Sequence, residues 1–449
     1  MTDKLRNRSA KRSPFSSYRA YVSRLQVLMN GTDQEAEWDE RVVAALNGQA
    51  SVELRRVAAL TKRRKFGAYF TGTKLGELLL AKCASFDEHR TFYDPTCGMG
   101  DLLLAAAKTF PLERTLPETL IKWGSRLAGT DLHAEFIDGT KTRLVLLARQ
   151  CHQTTNGLVG SPDKFFPHIR VADGLSEKTA FQRATSLLMN PPFGVVAAPN
   201  GCKWAGGRVS AAATFMTTAL ERVRPGTEVL AILPEVLRSG SFSEHWRDRI
   251  SELAEVHIVE PYGVFDESAD VDVFLIRLIR RTDGNATRKK RWPVPRKRRI
   301  TTVANHFDVH VGRVVPHRDP ETGPEYDYIH PRCVPTWTIM REFSETRRHE
   351  GCVYQPPFVV VRRTSRPGHP YRATATIIAG KQPVAVENHL IVCEPKKRTL
   401  KSCQELMREL KTEVVNEFLN ARIRCRHLTV SAVEAIPFQP KTGPARRKP

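Results

Sequence analysis

The spacing of apolar residues changes along this chain, and each change predicts a different kind of element. From residue 18 to 65 apolar positions recur at helical intervals, as in Tyr21, Leu25 and Leu28 and again in Leu54, Val57 and Ala58. Each such helix has one face that seeks a core, so a helical lead-in without chemistry of its own is expected. Between Gly67 and about Arg281 short apolar runs alternate with longer amphipathic segments, the pattern of buried strands joined by crossover helices. Seven strands are expected there, at 91–93, 127–130, 169–172, 186–189, 229–233, 256–260 and 273–278. The predicted fold class is therefore α/β, with a Rossmann-like, doubly wound sheet. From Ile300 onward short β-rich runs at 311–315, 358–361, 375–378 and 390–393 are separated by Pro and Gly turns. They predict a second, β-rich domain that closes with one helix from 403 to 419.

The length of 449 residues agrees with two domains plus accessory segments. The boundaries read as a basic arm and helical lead-in at 1–66, the α/β domain at 67–284, a basic linker at 285–300, the β-rich domain at 301–440 and a basic tail at 441–449. Charge then narrows the partner. Lys plus Arg number 70 against 48 Asp plus Glu, a formal net charge of +22, which favours a polyanion over an acidic small molecule. Nucleic acid leads that class, ahead of an anionic membrane surface or a basic surface without a specific target. In the linker, RKKRWPVPRKRR at 288–299 sets two blocks of four basic residues around a proline-stiffened centre. It reads equally as a spacer and as a strap along a nucleic-acid backbone.

No apolar run approaches the roughly 20 residues of a membrane span, and the first residues lack the apolar centre of a signal peptide. A soluble, cytoplasmic protein with no membrane partner is expected. The nine cysteines form no CxxC pair and no metal-ligand spacing, so they read as free thiols. His257, His310 and His317 lack a nearby cysteine pair and read as ordinary polar residues, leaving no metal site expected.

Chemistry concentrates in three strand-end segments. The first, Asp94-Pro95-Thr96-Cys97-Gly98-Met99-Gly100-Asp101, follows a short strand and opens an apolar helix. Gly98 and Gly100 allow a tight turn and close approach to a ligand. A second acid, Asp131, ends the next strand, where a carboxylate can accept from a ribose diol. The loop is neither GxGxxG nor a phosphate loop, so a nucleoside without phosphates fits better than a dinucleotide. Asp173 ends the third strand and reads either as a turn residue or as an acceptor for an adenine amino group. The third segment, Asn190-Pro191-Pro192-Phe193, leaves the buried run 187–189. Its prolines donate no backbone hydrogen bonds, leaving carbonyls and the Asn190 side chain to accept from an amine. An aromatic amine needs such acceptors because its lone pair is delocalised into the ring, and Phe193 can stack on a base.

At these residues the chain resembles the gamma-ordered adenine-N6 DNA methyltransferases of restriction-modification systems. In that family a G-x-[YF]-[YF]-T segment, a cofactor loop, the catalytic tetrad and a target-recognition region follow in this order. Here Gly67-Ala68-Tyr69-Phe70-Thr71 takes the first position, 94–100 the second and Asn190 to Phe193 the third; 233–237 and a terminal hairpin at 265–278 add to the match. The resemblance spans most of 60–440. It implies a class I methyltransferase sheet, S-adenosyl-L-methionine as cofactor and double-stranded DNA as partner. It further implies that Tyr69, Phe70 and Thr71 line the methionine end of that cofactor. Asp94, Pro95, Cys97, Gly98 and Gly100 would form its loop, with Cys97 as packing, and Asp131 would hold the ribose and Asp173 the adenine. Asn190 and the Pro191 carbonyl would accept from the target amine, flipped out of the duplex for direct transfer. Met99 departs from the family, which usually has a small residue there. The separation of Asp94 from Asp131 is also long, implying an enlarged first helix or an insertion around 111–117.

In the β-rich half, Arg313 and Arg318 lie in a segment resembling the strand-turn opening of target-recognition domains, and Arg362, Arg363 and Arg366 crowd one loop. Arginine forks bind phosphates or guanine edges, so all five are candidate DNA contacts. Two other readings stand beside this one. The NPPF tetrad also occurs in amino-methyltransferases of RNA and of protein glutamine, which usually lack a second β-rich domain. A catalytically silent DNA-binding module is the other, and intact Asp94, Asn190 and Phe193 speak against it. No segment is large enough for a nuclease domain, which leaves room for a separate nuclease or specificity subunit.

Overall fold

The computed structural model describes residues 13–31, 35–154, 160–265, 271–282 and 301–440. The basic arm, the 285–300 linker and the basic tail lie outside these. The chain divides into two compact units, 1–238 with 244–292, and 239–243 with 293–449.

The first unit begins with four helices, α1 (Arg19–Asn30), α2 (Glu35–Leu46), α3 (Gln49–Val57) and α4 (Leu60–Phe66), and then α5 (Thr73–Leu80). The strands and helices that follow are β1 (Phe92–Asp94), α6 (Asp101–Ala107), α7 (Leu116–Arg126), β2 (Leu127–Asp131), α8 (Ala134–Cys151), β3 (Ile169–Val171), α9 (Lys178–Arg183) and β4 (Ser186–Met189). A small hairpin, β5 (Val195–Ala197) and β6 (Arg208–Ser210), precedes α10 (Ala211–Arg222), β7 (Glu228–Pro234), α11 (Glu235–Ser239), α12 (Glu244–Leu253), β8 (Ala254–Val264) and β9 (Asp272–Arg280).

Seven strands form one sheet in the order β3-β2-β1-β4-β7-β9-β8. Only β9 runs antiparallel to its neighbours. All seven expected strands are in this sheet, and the expected terminal hairpin is the β8–β9 pair, whose connection at 266–270 lies outside the described residues. Helices cover both faces, which is why β4 and β7 are buried along their whole length. The period of two sorts their side chains. Leu188, Leu230 and Ile232 join the core under α5, α6 and α8, whereas Leu187, Met189, Val229, Ala231 and Leu233 join the core under α10 and α12.

The lead-in is part of the first of these cores. Tyr21, Val22, Leu25 and Leu28 pack from α1 into it. Two fully buried arginines of α8 meet the carboxyl ends of lead-in helices, where backbone carbonyls lack intrahelical partners. Arg149 donates to the carbonyls of Leu28 and Met29, and Arg143 to those of Ala45 at 3.0 Å and Leu46 at 3.3 Å. The long spacing from Asp94 to Asp131 has a plain origin. The helix after the first loop is short, and α7 is a second helix, started by a capping box in which Thr115 and Glu118 satisfy each other's backbone N–H groups.

The second unit contains α13 (Val303–His306), β10 (Phe307–Val311), β11 (Glu325–Ile329), β12 (Ile339–Met340), β13 (Thr346–Arg348), β14 (Phe358–Arg362), β15 (Ala375–Ile378), β16 (Val384–Val386), β17 (Leu390–Pro395), α14 (Leu400–Leu410), α15 (Glu413–Arg422) and α16 (Val430–Glu434). A five-stranded sheet, β10-β17-β14-β15-β12, carries the helices on one side, and a three-stranded sheet, β13-β11-β16, shares a core with its other side through Ile329, Val384 and Val386 against Phe358, Val360 and Val392. Two expectations are corrected here. The strand expected at 311–315 lies at Phe307–Val311, because Phe307 and Val309 alternate into the core and Gly312 sits against the Glu387 carbonyl with no room for a side chain. The single helix expected at 403–419 is two helices, since the Thr412 hydroxyl accepts from the Val415 N–H and starts a new helix.

Candidate active site

The chain runs from β1 outward through β2 and β3, then crosses back to β4 on the other side of β1. The crevice beyond the carboxyl ends of β1 and β4 is thus a topological switch point, where doubly wound sheets bind ligands. Four loops open into it. A pocket open to solvent is lined by Tyr69 and Phe70, by Pro95, Thr96 and Gly98, by Asp131, by Asp173, and by Asn190 and Pro192. Segments separated by more than a hundred residues therefore meet in one crevice.

Close approach explains the glycines. Gly67 ends α4 with φ +62, and a Cβ there would stand 2.3 Å from Pro192 Cβ. Any side chain would push the 67–71 segment off the tetrad. Gly100, with φ +80, faces Thr140 of α8, and a Cβ would be 2.6 Å from Thr140 Cγ2; one residue pair earlier, the Thr140 hydroxyl donates to the Gly98 carbonyl at 2.8 Å. Met99 fits because α8 has glycine opposite it: a Cβ at Gly139 would lie 2.4 Å from the Met99 sulfur. The larger residue in the loop is matched by a smaller one on the helix.

Asp94 is buried beneath the loop and accepts from the Thr96 N–H at 2.9 Å. Burial, together with the nearby Asp131 charge, pushes its carboxyl up to about 8. Asp131 accepts from the N–H groups of His133 at 2.9 Å and Gly98 at 3.2 Å. Burial raises it to about 6 against the pull of these donors. Burial thus favours the protonated form more strongly at Asp94 than at Asp131. Cys97 is buried in the core, and burial raises its thiol well above the usual range.

Asp173 lies at the rim, where its carboxylate already accepts from the Leu175 N–H at 3.0 Å and the Ser176 hydroxyl at 3.1 Å. It therefore serves as a turn cap whatever else it meets. Tyr69 presents a buried hydroxyl with no partner among the described residues. Asn190 donates from Nδ2 to the Thr71 hydroxyl at 2.9 Å. Phe193 packs edge-on against Phe265, with centroids 5.5 Å apart, and Tyr69 does the same at 6.5 Å.

Sequence reasoning missed the aromatic wall. Phe66, His133, Phe136 and Phe215 also line the pocket, and Phe15, fully buried, backs Phe66, His133 and Phe136 with ring contacts of 4.8 to 5.7 Å. Burial holds His133 below its usual range, favouring the neutral ring. The one available signal was the position of His133 and Phe136 just after Asp131, three apart across the start of α8.

The five arginines of the second unit are not alike. Arg313, Arg318 and Arg366 are exposed. Arg362 and Arg363 are half-buried and donate to the carbonyls of Val334 at 2.9 Å and Asn388 at 3.3 Å. All nine cysteines are free. Among the described residues, one trio, His330, Cys333 and Glu345, places potential metal-binding atoms within 4.8 Å of one another. Hydrogen bonds account for it: His330 Nε2 meets Glu345 at 2.9 Å, its Nδ1 accepts from the Arg332 N–H, and Cys333 Sγ accepts from the His330 N–H. No described helix is long and apolar enough to cross a membrane.

No protein-family model matches the chain, and no curated protein matches it significantly. Solved structures do. The type IIL restriction-modification enzyme MmeI in complex with DNA matches 93% of this chain and 70% of its own, with 12% identity and a TM-score of 0.50. The type IIG restriction endonuclease BpuSI matches 89% of this chain at 13% identity and a TM-score of 0.42, and this chain spans 60% of its length. A putative class I S-adenosylmethionine-dependent methyltransferase from Listeria monocytogenes matches 60% of this chain and 89% of its own, at 12% identity and a TM-score of 0.36. At such identities the likeness to MmeI is one of fold, and the weaker two add nothing to it.

Proposed function

We propose that this chain is an S-adenosyl-L-methionine-dependent methyltransferase acting on the N6 amino group of an adenine flipped from double-stranded DNA, within a restriction-modification or phage-defence system. The observation that carries the reading is the placement of Asn190 and Pro192 in the same pocket as Asp131, at the switch point of the sheet. MmeI, similar in fold, is a restriction-modification enzyme whose structure was solved with DNA.

The pocket residues fit the cofactor. It brings ribose hydroxyls that an ionised Asp131 can accept from, a flat adenine for the aromatic wall, and polar termini for the unpartnered Tyr69 hydroxyl. Its cationic sulfonium suits a pocket lined by the Asp131 and Asp173 carboxyl groups. When bound, it supplies an electrophilic methyl group. The chain's own part is to receive the amine. Asn190 Oδ1 and the Pro191 carbonyl accept its two hydrogens, which draws the lone pair out of the ring and aims it at the methyl. Phe193, held edge-on by Phe265, offers a face for the base. Transfer is direct, so no nucleophilic side chain is required, in keeping with Cys97 being a buried packing residue.

The test is a labelled-methyl assay in which purified protein and cofactor meet DNA, RNA and a protein lysate separately. Label in the DNA, recovered as N6-methyladenine after nucleoside digestion, supports the reading. Label in RNA or protein, with none in DNA, overturns it.

A further inference from the structure

The resemblance that identified the 67–71 segment gives Thr71 to the cofactor, but Thr71 is not among the residues that line the pocket. Its hydroxyl instead accepts from Asn190 Nδ2 at 2.9 Å, across 119 residues of sequence. A carboxamide is planar, so anchoring Nδ2 turns Oδ1 the other way, and among the described residues no group donates to Oδ1. The backbone that carries Thr71 is itself fixed. The next N–H, that of Gly72, donates to Asp101 Oδ2 at 2.6 Å, and Asp101 Oδ1 accepts from Arg143 Nη1 at 2.8 Å in a pair whose side chains are 5% and 0% exposed. Arg143 also donates to the Met99 carbonyl. A continuous set of bonds therefore runs from the loop after β1 through Arg143, Asp101 and Gly72 to Thr71 and Asn190.

We infer that Thr71 is a positioning residue for the amine-accepting carboxamide: it fixes the Asn190 amide with Oδ1 presented to the target amine, and the Asp101–Arg143 pair holds Thr71 in register. The inference rests on the proposed methyl transfer to DNA. Without the hydroxyl, the amide rotates freely and offers Nδ2, a donor, to an amine that needs an acceptor. The cost falls on the reacting geometry and not on ground-state binding.

Three full-length proteins test it: wild type, Thr71→Val, which keeps the branched shape without the hydroxyl, and Thr71→Ser, which keeps the hydroxyl. Turnover on DNA at saturating cofactor, KM for DNA, and cofactor affinity by calorimetry are measured for each. Thr71→Val should lose about 10- to 100-fold in kcat, as expected for a misplaced hydrogen-bonding group, with cofactor affinity and KM within about twofold, and Thr71→Ser should recover most of the rate. A Thr71→Val protein with wild-type kcat overturns the inference alone, as does one whose cofactor affinity falls while kcat holds. Absence of methyl transfer to DNA by the wild type removes the functional reading and the inference with it.

Discussion

The two units use arginine and loop chemistry in opposite ways. In the first, the groups that matter come from the carboxyl ends of neighbouring strands, so four short linear segments must converge once the sheet order is set. In the second, candidate groups sit on one loop and one strand-turn, and nothing in the local sequence says which way each points. Arg362 and Arg363 illustrate this. They read as a basic cluster with Arg366, yet two of the three are bonded to backbone carbonyls. Both units also hide fully buried arginines. Arg143 pairs with Asp101 and reaches three carbonyls of the loop after β1 and of α2, whereas Arg372 donates to the carbonyls of Ser365, Ile423 and Cys425. A guanidinium in a sequence is as apt to be internal scaffolding as a surface for phosphate.

The largest effect that would break this comparison is on stability. Arg143→Leu leaves the Asp101 carboxylate buried without its partner and should cost about 3–5 kcal/mol, read as a lowered denaturant midpoint. A loss under about 1 kcal/mol would mean the pair is not the internal brace described. Next comes Asn190→Ala, expected to lower turnover by on the order of a hundredfold or more while leaving cofactor affinity nearly intact; retention of more than about a tenth of the wild-type rate contradicts its role.

Asp131→Ala should weaken cofactor binding by about 1–3 kcal/mol, the order of lost charge-assisted hydrogen bonds, in a calorimetric titration. The pH dependence sharpens this. Because the ionised carboxylate is the accepting form and its raised value lies at about 6, affinity should be flat near pH 7 and decline as pH falls through 6. Asp131→Asn should flatten the profile, and an unchanged decline would assign it to another group.

The smallest expected effects separate surface from scaffold in the second unit. Arg366→Ala should lower the salt slope of DNA binding by about one ion and leave melting unchanged. Arg363→Ala should instead cost about 1 kcal/mol of stability for its lost carbonyl bond. Equal behaviour of the two variants would erase the distinction drawn between them.

How much could be read in advance follows the same division. The sheet strands were most plainly legible at β4 and β7, which are buried on both faces and whose apolar runs are uninterrupted. The positions of Asp131 and Asn190 at strand ends were legible because each closes an apolar run, whereas Gly67, at the end of α4, was marked only by the 67–71 resemblance. The Thr71–Asn190 bond and the Met99–Gly139 fit were not, since each depends on partners tens of residues or more away in sequence. The aromatic wall was hidden for a similar reason: Phe66 and Phe136 satisfy ordinary helical patterns, Phe15 lies in a turn before the first helix, and only packing brings them together. In the second unit the break at Thr412 was missed because apolar spacing continues across it, while the hydroxyl that restarts the helix leaves no trace in that period.

In the proposed function, the crevice at the β1–β4 switch point transfers a methyl group to an adenine amine, with Asn190 as acceptor. The most direct test is nucleoside mass spectrometry of duplex DNA incubated with cofactor and either the wild-type protein or Asn190→Ala. N6-methyladenine formed by the wild type and lost with the variant is the predicted result. Methylation that persists in Asn190→Ala, or that falls on another base, would contradict it.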